Sequence, residues 1–216
     1  MNRYDVLLAD PPWSYRVWSG QKSRTSDAHY RTLSTETIAE LPISRIAADD
    51  AALFLWSTPP AIQEALRVVE AWGFRYKTFA FVWVKHDKHP RGHAKAVDKP
   101  LIYRAGELYG ASFGLGHYTR ANAEICLLGI RGRMPVADKG VSQLIVSQRR
   151  DHSWKPDEQY DCIERLYPTS TRLELFARRR RSGWDALGLD LDGRDVRTTL
   201  QQESAPSEVP MLTPDP

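Results

Sequence analysis

Cysteine is scarce in this chain. Only Cys126 and Cys162 occur among 216 residues, both in or beside apolar stretches. They read as reduced core residues, too few for a disulfide framework or a metal-ligating set, so no metal is expected. No Gly-x-Gly-x-x-Gly occurs either, which leaves a nicotinamide or flavin Rossmann site without support. No apolar run is long enough to span a bilayer, and the opening residues Met1 to Asp5 carry no apolar signal region. The expectation is a soluble cytoplasmic protein with no membrane association. There is no internal repeat. Charge of one sign is barely in excess: 30 Lys and Arg against 27 Asp and Glu give a net +3, which permits nucleic-acid binding without requiring it.

Aromatic residues, by contrast, are plentiful. Seven Trp and nine Tyr serve either a core or a surface that stacks on bases. Cations cluster at Arg149 and Arg150, from Lys85 to Lys99, and from Arg178 to Arg181. Each cluster is as compatible with a solvated surface as with a phosphate contact.

The length suits one α/β domain over residues 1–197. Tyr4 to Ala9 is a short apolar run of the kind buried in a parallel sheet, and Pro11 and Pro12 end it because proline cannot continue a ladder. The polar stretch from Ser14 to Leu33 reads as a mobile loop. Ser34 is a good cap for a helix beginning at Thr35. Strands follow at Ala51 to Trp56 and Lys77 to Lys85, separated by a helix from Pro60 that carries Ile62, Leu66 and Val69 on one face and ends near Gly73. About residues 86–118 have no clear period and read as a loop insertion, a candidate for target recognition, with Lys85, Lys88, Arg91, Lys95 and Lys99 placed to follow a phosphate backbone. Strands resume at Glu124 to Ile130, Leu144 to Ser147 and Arg172 to Phe176, with a helix opened by Pro156 before the last. Residues 198–216, polar and Pro-rich, read as a disordered tail. This alternation predicts a parallel, doubly wound sheet whose ligand sits at the carboxyl ends of the strands.

Asp10-Pro11-Pro12-Trp13 stands at such an end. These residues suit methyl transfer to an exocyclic amine, a poor nucleophile whose lone pair is delocalised into its ring. Two acceptors aimed at its N–H bonds favour the tetrahedral geometry needed for attack. Asp10 offers a carboxylate and Pro11 a carbonyl, while Trp13 offers a face on which an unstacked base can rest. The remaining work is positioning.

Four blocks then carry a resemblance over about Tyr4 to Gly193: Ala9 to Trp13; His29-Tyr30-Arg31-Thr32-Leu33-Ser34; Gly116 to Glu124 running into Leu127-Leu128-Gly129; and His152 to Glu158 followed by Glu164-Arg165-Leu166 and Glu174 to Arg178. In this order they resemble the adenine-N6 methyltransferase family that includes the catalytic subunit of the eukaryotic messenger-RNA adenosine methyltransferase, in its bacterial or phage form. The resemblance implies a Rossmann-like S-adenosylmethionine-dependent methyltransferase fold, permuted so that the catalytic strand comes first and the cofactor strand last. It implies S-adenosylmethionine as cofactor, with Asp10, Ser153, Lys155, Glu174, Phe176 and Arg178 near it. Lys155 and the following helix N-terminus suit the cofactor carboxylate, and Glu174 suits ribose hydroxyls. On the substrate side it implies Trp13, His29, Tyr30, Arg120 and Asn122. The family's Pro, His and Asn after the last strand stand here as Arg179, Arg180 and Arg181, which suit phosphate instead.

The resemblance thus implies site-specific methylation of adenine N6, with DNA favoured and a flipped or unpaired base as target. RNA stays open because it offers the same amino group, and cytosine N4 is chemically open as well. A non-catalytic nucleic-acid-binding subunit is the reading from another class, and the intact tetrad argues against it. A homodimer is compatible with the chain.

Overall fold

The computed structural model describes residues 3–14, 32–86, 102–104, 107–109, 118–119, 121–149, 154–193 and 195–202. Its frame is a seven-stranded sheet. The strands are β1 (Tyr4–Ala9), β2 (Ala47–Ser57), β3 (Arg75–His86), β6 (Ala123–Arg131), β7 (Leu144–Gln148), β8 (Arg172–Leu175) and β9 (Asp185–Leu187), in the spatial order β7-β3-β6-β2-β1-β8-β9. Two short strands, β4 (Ile102–Arg104) and β5 (Glu107–Tyr109), form a separate antiparallel pair inside the segment expected to be a loop insertion. Apart from His86 and Tyr118, the rest of that insertion lies outside the described residues, as does most of the expected mobile loop.

Helices cover both faces. On one side lie α1 (Thr35–Ala39), α2 (Ile43–Ile46), α3 (Ile62–Ala71) and α6 (Val196–Gln202), packed on Leu7, Leu53, Leu55, Leu127 and Leu175. On the other, α4 (Glu158–Leu166) packs Tyr160 and Ile163 against Val6, Leu8, Phe54, Trp56 and Trp83. A strand buried on both faces has no polar side, which is why Val6 to Ala9 is apolar at every position. A short α5 (Leu189–Asp192) follows β9. Local signals set the joints. The Ser34 hydroxyl accepts the Thr37 N–H at 3.2 Å and caps α1. Gly73 takes φ +84° just after α3, a conformation that costs glycine little.

Three expectations change. The sheet is mixed: β6 runs antiparallel to both β2 and β3, while all other pairs are parallel. The chain leaves β3 and re-enters the sheet at the same edge, with the Lys85 N–H donating to the Asn122 carbonyl at 2.9 Å, so it has to run back down. Second, β9 follows the expected last strand and pairs parallel with it. Third, α6 covers residues 196–202 with Val196 and Leu200 buried, so the segment expected to be a disordered tail from Thr198 begins inside a packed helix. Residues 203–216 lie outside the described residues. Among the described residues no helix is long and apolar enough to cross a membrane.

Candidate active site

The carboxyl ends of β1, β2, β3 and β8 share one edge of the sheet, and because β6 runs the other way its first residues lie there too. This edge holds a small, partly open cleft. Leu8 and Asp10 from β1 and its end, Trp56 from β2, and Glu174, Phe176 and Arg178 from β8 and its end line it. Trp154, Lys155, Gln159 and Tyr160 approach from α4 and the residues before it.

Asp10 follows β1 directly. Pro11 is buried, and its carbonyl accepts the Trp13 N–H at 2.8 Å, closing a tight turn. The Pro12 carbonyl accepts the Leu33 N–H at 2.8 Å. Trp13 departs from expectation. Its indole is 5% exposed, packs in the core with Ile38 and Leu55, and donates Nε1–H to the Trp56 carbonyl at 3.0 Å. It anchors the turn and offers no open face to a base.

The Lys155 ammonium lies 2.7 Å from Asp10 Oδ1 and 2.8 Å from Oδ2, and 3.1 Å from Glu124 Oε2. It also sits 5.8 Å from the Trp56 ring centroid. Lys85 pairs with the other oxygen of Glu124 and lies 4.9 Å from the Trp83 ring centroid. The result is a row of alternating charge: Asp10, Lys155, Glu124, Lys85. Burial pushes the Asp10 carboxyl above its ordinary range, against the opposing pull of Lys155. Burial works on Glu124 in the same sense, but Lys155 and Lys85 together hold it below the usual carboxylate range. Burial alone would lower Lys155, and the two carboxylates instead raise it above the ordinary lysine value. The ammonium is therefore engaged by the carboxylates of Asp10 and Glu124.

Across the cleft, the Tyr160 hydroxyl reaches both Glu174 oxygens, at 3.1 and 3.0 Å. Burial raises Glu174 to about 7, against that hydroxyl and with a contribution from the nearby Asp10 charge. Phe176 takes φ +60° immediately after β8. A bulky residue held in the left-handed region costs of order 1–3 kcal/mol and persists where the surroundings impose it, often at a functional site. Here it turns the chain so that Phe176 and Arg178 both line the cleft.

The arginine run is also redirected. Arg181 pairs with Asp161 at 2.6 Å and Glu164 at 3.1 Å, Arg179 pairs with Asp157, and both guanidinium groups lie over the Tyr160 ring. These cations tie the β8–β9 connection to α4, so the expectation that Arg179 and Arg181 serve phosphate is not met. The helix itself begins at Glu158, two residues later than Pro156, which lies buried ahead of it.

A model of the MT-A70 family matches residues 4–190. The chain belongs to the MT-A70 family. The permuted α/β frame is the family's as expected, with the catalytic strand β1 first and β8 late in the chain. The chain is 30% identical to the type II methyltransferase M.MunI of a Mycoplasma species, over 93% of its own length and 83% of that protein. It is 31% identical to the human N(6)-adenosine-methyltransferase catalytic subunit METTL3, covering 89% of this chain and 29% of that protein. An Arabidopsis thaliana protein named N(6)-adenosine-methyltransferase MT-A70-like is 30% identical, over 89% of this chain and 24% of that protein.

Within this MT-A70 chain, Asp10, Lys155, Glu174, Phe176 and Arg178 line one cleft. Asn122 stands just ahead of β6 on the same edge and is not among the lining residues. Ser153, His29, Tyr30 and Arg120 lie outside the described residues. Sequence reasoning missed Glu124, Trp56, Gln159 and Tyr160. The signal for Glu124 is a carboxylate at the head of the apolar run Ile125 to Ile130. Trp56 and Gln159 become visible only in three dimensions, where Trp56 Nε1–H donates to Gln159 Oε1 at 2.6 Å across 103 positions of sequence.

Proposed function

We propose that the chain methylates the N6 amino group of adenine in DNA, with S-adenosylmethionine as methyl donor. The observation that carries the reading is Asp10, at the carboxyl end of β1 on the cleft, gripped through both oxygens by Lys155. The cleft fits the cofactor by its chemistry. Glu174 offers oxygens to ribose hydroxyls, Trp154 and Phe176 offer apolar and aromatic surface, and Arg178 brings positive charge toward a carboxylate. When bound, S-adenosylmethionine supplies an electrophilic methyl group on a sulfonium that needs no further activation.

The chain's own residues then position the amine. Asp10 accepts one N–H of the adenine amino group. The Pro11 carbonyl, with one lone pair on the Trp13 N–H and a second remaining, accepts the other. The two acceptors draw the nitrogen toward tetrahedral geometry and free its lone pair to form the N–C bond. As that bond forms, one amine proton becomes acidic, and the buried carboxylate of Asp10 is the base beside it. Lys155 favours the anionic form of Asp10 against the effect of burial and fixes its rotamer.

DNA is favoured because the chain matches the type II methyltransferase over most of both lengths, while it spans only about a quarter of the long adenosine methyltransferases. RNA is the second reading, carried by the 31% identity to a protein named for adenosine methylation. Incubation with radiolabelled S-adenosylmethionine and parallel DNA and RNA, followed by mass spectrometry of digested nucleosides, decides the base and the polymer. The Asp10→Ala variant is expected to fold and to lose methyl transfer. Near-normal turnover in that variant would rule out the mechanism.

A further inference from the structure

Lys85 was expected beside phosphate and is found elsewhere. It is the penultimate residue of β3, on the same sheet face as Trp83, and Trp83 stands opposite Glu124 in the antiparallel β3–β6 ladder. That register brings the Lys85 ammonium to one Glu124 oxygen while Lys155 takes the other. The Lys85 side chain is 19% exposed and that of Glu124 14%. A lysine serving a phosphate backbone needs its charge at the surface, and this one is largely covered, lies over an indole and is paired with a carboxylate. Without Lys85, Glu124 would be a buried carboxylate sharing a single cation with Asp10. The two acids would then compete for Lys155.

We propose that Lys85 is a positioning residue for methyl transfer, acting through Glu124 and Lys155 to hold the Asp10 carboxylate in one place. This rests on the assignment of Asp10 as the acceptor of the amine N–H. Lys85 satisfies Glu124, Glu124 fixes one side of the Lys155 ammonium, and the remaining donors of that ammonium meet Asp10. The row spans β3, β6, the approach to α4 and the end of β1, so the catalytic carboxylate is located by four separate segments of chain. A displacement of about 1 Å in such a group is enough to cost on the order of a hundredfold in rate.

The test compares Lys85→Met, which keeps an unbranched stem on Trp83 and removes the charge, with Lys85→Arg and Glu124→Gln. Full pH–rate profiles, kcat and KM for DNA, S-adenosylmethionine binding by calorimetry and thermal melting are measured for each. Lys85→Met is expected to lower kcat on the order of tenfold, leave DNA KM and cofactor affinity essentially unchanged, and be rescued in part by Lys85→Arg. The groups facing Asp10 are Lys155, Glu124, Arg178 and the Glu174–Tyr160 pair. Lys85 stands one step further along the row, paired with Glu124; removing its cation leaves the Glu124 charge uncompensated and moves the acid limb of kcat to higher pH, and removing the Glu124 charge moves it to lower pH. Opposite shifts from two neighbouring neutralisations are not produced by simple loss of packing.

A Lys85→Met enzyme with normal kcat, raised DNA KM and a salt slope reduced by about one would identify a phosphate contact and overturn the proposal. A lowered melting temperature with unchanged kcat would do the same in favour of a purely structural bridge. Loss of activity in Asp10→Ala with normal kcat in Lys85→Met overturns this inference alone. Retained activity in Asp10→Ala overturns it together with the function on which it rests.

Discussion

Glu174 is an acid whose surroundings work against its charge. Burial raises it to about 7, while an unfolded glutamate titrates near 4.5. The folded protein therefore holds a proton that the unfolded chain has released across that interval, and stability falls as pH rises from about 4.5 through 7. Melting temperatures measured across this interval should decline in the free protein, and the Glu174→Gln variant should flatten the decline. Ribose hydroxyls donating to the carboxylate favour its charged form. Cofactor binding near neutrality should then release a proton, read by calorimetry in buffers of different ionisation enthalpy. Equal heats across buffers would remove Glu174 from the ribose site. The residue was legible in the sequence as a carboxylate at the end of a strand. Its partner Tyr160 was not, because the pairing depends on how α4 packs across β8.

At the scale of elements, the turn after β1 shows where local reading succeeds and where it stops. Two prolines ending an apolar run specify the end of a strand and the start of a loop, and both are found. Whether Trp13 then faces outward or inward is decided by the depth of the gap between α1 and β2, which local sequence does not encode. The gap is deep, and Trp13 fills it while bridging to Leu33, the residue that leads into α1. Trp13→Ala should cost about 3–5 kcal/mol in urea unfolding, the usual loss for a large aromatic removed from a core. A cost well below that, together with weakened binding of substrate, would restore Trp13 to a base-stacking role. The direction of β6 was hidden for a similar reason. An apolar run is the same read upward or downward, and the cue lay in the long interval of sequence before it, which has no clear period. Without that direction, Glu124 could not be placed beside Asp10.

Taken as a whole, the molecule has two apolar cores on a shared sheet, each marked by its own indoles. Trp13 and Trp72 lie in one, and Trp56, Trp83 and Trp184 in the other. Alternate residues of β1 and β2 feed opposite cores, so neither core survives separation of the strands. Tryptophan fluorescence and far-ultraviolet circular dichroism should report one coincident unfolding transition. Two resolved transitions would show that the cores melt independently. The class of this architecture followed from alternating apolar runs and helical faces, and the family from four short blocks. The last strand and the closing helix did not, since Asp185 to Leu187 is only three residues long and Val196 to Gln202 is mostly polar in sequence.

The antiparallel return of β6 has one more consequence. The excursion between β3 and β6 leaves and re-enters the sheet across a single hydrogen bond, from Lys85 N–H to the Asn122 carbonyl. A segment whose two ends are already pinned together adds little to the entropy of closure as it lengthens, since each doubling costs only about 0.6 kcal/mol. The frame thus has a socket: residues between those two points can be exchanged for others of different length while the charged row beside the socket keeps its register.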